Sequence, residues 1–154
     1  MWNQNIETFL GCDGAYEESR IVLYGAPFDS TTSYRPGTRL ASRHMRAESY
    51  GLETYSPYLD LDLEEAAVFD GGDLELPFGD TEAALSMIEE RAEKILSDKK
   101  LPFLIGGEHL VTLGALRAVF CAHPDLVVIH LGLNDTDPRN WPNYNSHFEM
   151  NIWG

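Results

Sequence analysis

Two short stretches of the chain concentrate residues that can ligate a metal or move a proton. The first is Gly106-Gly107-Glu108-His109. A neutral imidazole at such a turn is a good ligand for a first-row metal. The second is Leu133-Asn134-Asp135-Thr136-Asp137, followed by Pro138. On an extended backbone Asp135 and Asp137 share a side, because strand side chains alternate. Two carboxylates that close repel unless a cation or a shared proton relieves them. His147, ten residues beyond Asp137, is positioned to return over such a site as an acid–base group. Each stretch also has a plain structural reading. A helix-start His bonds locally, and Asp-x-Asp-Pro is ordinary turn chemistry. Taken together, a His and paired Asp residues on successive α/β crossovers make a metal-dependent hydrolase plausible.

Those residues need a scaffold that delivers them to one place. In an open α/β sheet, ligands bind beyond the carboxyl ends of the strands. Residues 21–27 (IVLYGAP), 65–70 (EAAVFD), 101–107 (LPFLIGG) and 126–131 (LVVIHL) are short apolar runs that read as strands. A helix is expected over 39–50. A second begins at Asp80 or Thr81, with Leu85, Ile88, Ala92 and Ile95 on one apolar face. A third covers 109–121. Strands alternating with helices, each strand apolar throughout, imply a parallel sheet covered on both faces. The runs beginning at Ile21, Leu101 and Leu126 are expected to pair in parallel. His109 would then converge with Asp135 and Asp137 at the carboxyl edge. His130 reads as a packed core residue, and His44 and His123 as helix-face or turn residues. Residues 1–20 read as an N-terminal arm. Residues 132–154 read as a divergent tail without a closing helix or strand.

The chain has 154 residues, one domain on the usual size prior, and a net charge of −14. That charge argues against nucleic acid, whose binding requires cations to displace phosphate counterions, and against an anionic membrane surface. Two cysteines are too few for a disulfide framework and read as free thiols. The N-terminus lacks the pattern of a signal peptide, and no apolar run approaches a bilayer span. The expectation is a soluble cytoplasmic protein. Residues 47–90 hold 13 acidic side chains and no Lys or Arg, while Arg35, Arg39, Arg43 and Arg46 lie just before them. Either the two segments face each other, or the acidic one is solvated, or the arginines make a subunit contact. No nucleophile elbow, GxGxxG or Walker A pattern occurs, which disfavours a nucleotide-binding module.

The stretches YGAPFD (24–29), SYRPGTR (33–39), GLETYSPYLD (51–60), DGGDLELPFG (70–79) and LIGGEHLVTLGALRA (104–118) resemble the ureohydrolase family of arginases and agmatinases. The likeness is nearest to bacterial agmatinases. It implies a three-layer α-β-α fold with a mainly parallel sheet. It also implies two Mn²⁺ ions with a bridging hydroxide that attacks a guanidinium carbon and releases urea. The substrate implied is a small guanidino compound such as agmatine, and a homo-oligomer is among the assemblies the resemblance implies. By resemblance His109 is a metal ligand, Asp135 and Asp137 are candidate metal ligands, and His147 matches a His that acts near the substrate.

The family's next motif is Asp-Ala-His-x-Asp. Aligned on Asp137, this chain has Leu133 at the bridging Asp and Asp135 at the His ligand. No stretch matches the family's later Asp-x-Asp motif. The resemblance therefore implies a single, incomplete, truncated ureohydrolase-like domain. It would hold at most one Mn²⁺, weakly, and be inactive alone or act by association with other subunits.

Overall fold

A computed structural model describes residues 7–32, 34–132 and 149–153. The chain divides into two compact units, Met1–Ala118 and Val119–Gly154. In the first unit, strand β1 (Ile21–Ala26) leads through a loop and a 3-10 turn (Thr38–Leu40) into helix α1 (Ala41–Ser49). A two-residue hairpin, β2 (Tyr55–Ser56) and β3 (Leu61–Asp62), precedes a second 3-10 turn and strand β4 (Val68–Asp73). Helix α2 (Thr81–Ser97) and strand β5 (Leu101–Gly106) follow, and helix α3 (Val111–Ala122) begins in the first unit and ends in the second. The second unit carries β6 (Val128–Gly132) and β7 (Glu149–Trp153).

The main sheet is parallel, with β1 between β4 and β5. Val22, Tyr24 and Ala26 of β1 and Phe69 of β4 pack on one face, against Leu85, Ile88 and Ile95 of α2 and Val111 of α3. Ile88 and Ile95 are fully buried, each stabilising the fold by about 1.5–3 kcal/mol over an exposed side chain. The Asp80 carboxylate caps α2 by accepting from the Ala83 N–H at 3.0 Å. Leu23, Val68 and Ile105 form a smaller cluster with Cys12 on the other face, where α1 lies. Both cysteines are free thiols. Burial, followed by the charges of Asp70 and Asp13, pushes the Cys12 thiol up to about 11.

β4 contains a bulge. Leu23 lies opposite Asp70 and Gly25 opposite Asp73, so Gly71 and Gly72 together face the single residue Tyr24. Gly72 has φ of 72°, in the left-handed region that glycine tolerates best. The inserted residue turns Asp73 to the same side as Asp70.

Several expectations shift. The second strand begins at Val68 rather than at residue 65, because Leu63–Ala66 forms a 3-10 turn and Ala67 is left-handed at φ 50°. The parallel sheet has three strands, but its third is β4. The run expected from Leu126 forms β6, which pairs antiparallel with β7. The tail, expected to lack a closing strand, supplies that partner through Glu149–Trp153. Apolar sequence marks a strand but does not choose its partner.

Candidate functional site

The carboxyl ends of β1 and β5 are joined by backbone. The Gly107 N–H donates to the Ala26 carbonyl at 3.0 Å, and the Glu108 N–H donates to the Phe28 carbonyl at 2.9 Å. A Cβ on Gly107 would lie 2.1 Å from the Phe28 oxygen and 2.8 Å from its nitrogen. Neither Gly106 nor Gly107 has a positive φ. The sequence suggested that these glycines permit a sharp turn. Their role here is clearance, since the turn after β5 lies directly against the backbone after β1. Glu108 is buried, and its carboxylate accepts from the Thr31 N–H at 3.1 Å and from the Thr31 hydroxyl. It thereby ties the loop after β1 to the start of α3. His109, the next residue, is exposed, and its imidazole makes no hydrogen bond among the described residues. It borders an opening of about 220 Å³ with Leu104, Gly106 and Thr112 in its wall. That is smaller than the roughly 300–1,000 Å³ of sites enclosing a drug-sized ligand.

Asp29 organises the loop that follows β1. It is buried, and its Oδ2 accepts from the Gly37 N–H at 2.6 Å and the Arg39 N–H at 3.3 Å. Oδ1 lies 2.7 Å from Nη2 of Arg39. Burial alone would raise this carboxyl. The Arg39 guanidinium and the two backbone donors outweigh it and hold Asp29 below the ordinary carboxylate range. Arg39 also stacks 4.8 Å above the Phe78 ring, which joins this loop to the one after β4. The gap between the two loops is about 20 Å³, room for one water.

The most heavily bonded side chain near the sheet is Arg46 of α1, 3 % exposed. Its Nε donates to Asp70 Oδ2 at 2.7 Å, Nη2 to Asp70 Oδ1 at 2.9 Å and Nη1 to Asp73 Oδ1 at 2.6 Å. Ser42 donates to the other Asp73 oxygen at 2.9 Å, and the N–H groups of Phe9 and Gly72 donate to Asp70. Burial pulls the Arg46 pKa down, and the paired carboxylates more than reverse it. Of the readings open for the arginines and the acidic block, facing segments holds for Arg46. Sequence reasoning assigned no role to Asp29 or Thr31, and took Arg46 only as one of four arginines beside the acidic block. The available signal was the arginine spacing just upstream of Asp70-Gly-Gly-Asp73.

Of the expected site residues, only His109 belongs to the described part, at the carboxyl edge of β5. Asp135, Asp137, Leu133 and His147 lie outside the described residues. Among the described residues β5 pairs with β1 in the first unit and β6 with β7 in the second. Among the described residues no three His, Cys, Asp or Glu side chains come together as a metal site. No helix among them is long and apolar enough to cross a membrane.

A parallel sheet with a Gly-Gly-Glu-His turn at its carboxyl edge places the chain in a recognisable class. A family model for the arginase family matches residues 19–135, and the chain belongs to that family. It is 47 % identical over 133 residues to the agmatinase of Bacillus cereus, covering 86 % of this chain and 46 % of that protein. The chain thus spans about half the length of the curated relatives it matches. A candidate agmatinase from Clostridium difficile superposes with a TM-score of 0.75 at 54 % identity, covering 78 % of this chain and 44 % of the other. The proclavaminate amidino hydrolase of Streptomyces clavuligerus gives a TM-score of 0.78 at 29 % identity, covering 96 % of this chain and 49 % of the other.

Proposed function

We propose that the chain carries part of an agmatinase-type ureohydrolase, hydrolysing a guanidino compound such as agmatine to an amine and urea with Mn²⁺ in the cytoplasm. One observation carries the reading. His109 stands free at the carboxyl edge of β5, on a turn braced by Gly107 and Glu108, in a chain similar to agmatinases. His109 offers one nitrogen donor. Asp135 and Asp137 are the proposed further ligands and His147 the proposed group near the substrate.

We propose equally that the 154 residues alone do not turn over. Two dications held a few ångströms apart need several carboxylates to offset their repulsion, and Leu133 has no lone pair to give. One imidazole and two aspartates do not fit a two-metal site, so no catalytic step is derived through one.

The test has two arms. The purified chain with Mn²⁺ and agmatine or arginine is expected to release urea only at background. Fused to the segment of the Bacillus cereus agmatinase that follows the position aligned with Gly132, which supplies that protein's own residues in place of 133–154, residues 1–132 are expected to give Mn²⁺-dependent urea release from agmatine, lost on His109→Ala. Urea production by the unfused chain that depends on both Mn²⁺ and His109 would overturn the inactivity. A folded fusion that leaves agmatine intact would overturn the substrate class.

A further inference from the structure

The residue before His109 uses every polar group it has. The Glu108 N–H donates to the Phe28 carbonyl at 2.9 Å, and its own carbonyl accepts from the Val111 N–H at 3.3 Å. Its carboxylate accepts from the Thr31 N–H at 3.1 Å and from the Thr31 hydroxyl. His109 differs. Its carbonyl accepts from the Thr112 N–H at 3.1 Å, while no hydrogen bond among the described residues reaches its ring. The place of the imidazole therefore follows from the backbone that bears it. The loop that Glu108 grips is closed on itself. Asp29 accepts from the Gly37 and Arg39 N–H groups, and the Thr32 hydroxyl donates to the Asp29 carbonyl at 3.0 Å. Glu108 is 8 % exposed, and its carboxylate is met by two neutral donors of one residue. Burying an acid on neutral donors costs more than burying an apolar side chain of the same size. What the acid supplies is a bond that an apolar side chain cannot make.

We propose that Glu108 is a positioning residue of the hydrolase site: through Thr31 it clamps the loop after β1 to the turn after β5, and so fixes where the His109 imidazole stands. The kinetic consequence rests on the ureohydrolase reading and the clamp does not, so the two are measured apart.

The clamp is read in the 154-residue chain by residue-resolved hydrogen exchange. In Glu108→Ala and Thr31→Val the Gly107, Glu108 and Thr112 amides are expected to exchange about tenfold faster than in the parent, as for loss of a hydrogen bond to a charged group. Thr31→Ser keeps both donors, and Glu108→Gln can meet both Thr31 groups with its amide. Both should exchange like the parent. Thr31 is exposed, so its replacement leaves the core intact.

The consequence is read as kcat and KM for agmatine, per folded molecule, in the fusion that carries residues 1–132. Thr31→Val is expected to lower kcat about tenfold and Glu108→Ala about a hundredfold, the scale of a misplacement of about 1 Å, with KM within about twofold. Thr31→Ser and Glu108→Gln should recover most of kcat. Unchanged exchange in Glu108→Ala and Thr31→Val would overturn the clamp. Faster exchange with kcat intact would overturn the positioning role. So would a Glu108→Gln fusion that keeps slow exchange and loses kcat, since the charge rather than the bond would then be in use. A parent fusion that releases no urea is a failure of the hydrolase reading, and the exchange measurement still decides the clamp.

Discussion

β4 and β5 flank the same central strand, and each delivers charged or ionisable residues near the end of the sheet, but they do so by opposite means. At β4 the acids are consumed by structure. Asp70 is fully buried, and its oxygens take donors from Arg46, Phe9 and Gly72. At β5 the buried acid, Glu108, serves as a tether for Thr31, while its neighbour His109 is left exposed. A side chain fully satisfied inside the protein is committed to the fold. One held on a braced turn without a partner of its own remains available for chemistry. Charge density in the sequence marks both places equally, and only the bonding separates them.

The largest effect expected from breaking this contrast lies on the β4 side. Arg46→Ala leaves the Asp70 carboxylate buried without its cation and should cost about 3–5 kcal/mol, read as a fall in the denaturant midpoint. A midpoint close to the parent's would show that the cluster is not structural.

A smaller effect is expected between the two sites, in the loop after β1. Asp29→Asn should cost about 1–2 kcal/mol at neutral pH through weakened charge-assisted hydrogen bonds. The folded-state pKa of Asp29 lies below its unfolded value, near about 4, so its contribution is complete above that pH. It is lost as the pH falls through the depressed native value. Denaturation curves of parent and variant should therefore converge in acid, and a gap constant with pH would place the effect elsewhere. The smallest change belongs to His109→Ala. An exposed imidazole without a side-chain partner should shift stability by no more than about 0.5 kcal/mol. A loss as large as that of Arg46→Ala would mean the imidazole is structural after all.

How far the sequence shows this division depends on the range of the interactions. Helix α2 is legible because its signals are local. Leu85, Ile88, Ala92 and Ile95 repeat at helical spacing, Asp80 caps the start, and all four apolar residues are buried. β1 and β5 are legible as apolar runs closed by Gly or Pro. The partner of β6 is not, because strand pairing is settled by distant segments. The Arg46 cluster was visible only as adjoining blocks of opposite charge, since its geometry depends on a bulge. His109 was picked out by residue type and position, and the structure sets it at the expected strand end. Glu108 was noticed for its place in the same motif, while its tie to Thr31 spans 77 positions and leaves no local trace.

The bulge in β4 makes residue count, more than residue identity, decide what Asp73 does. In an unbroken strand, side chains three positions apart project from opposite faces. Asp70 and Asp73 are three apart, yet both reach one guanidinium, because Gly71 and Gly72 together take the place of one residue. Removing either glycine would restore even alternation downstream while bringing Asp73 next but one to Asp70. The two acids would then share a face by the ordinary pleat rather than by a kink. Inserting one residue would set the acids four apart, again an even spacing that an unbroken strand places on one face. The segment thus works as a parity counter. Changes in its length are legible in advance as odd or even, whereas substitutions within it are judged only by whether they tolerate the left-handed turn at Gly72.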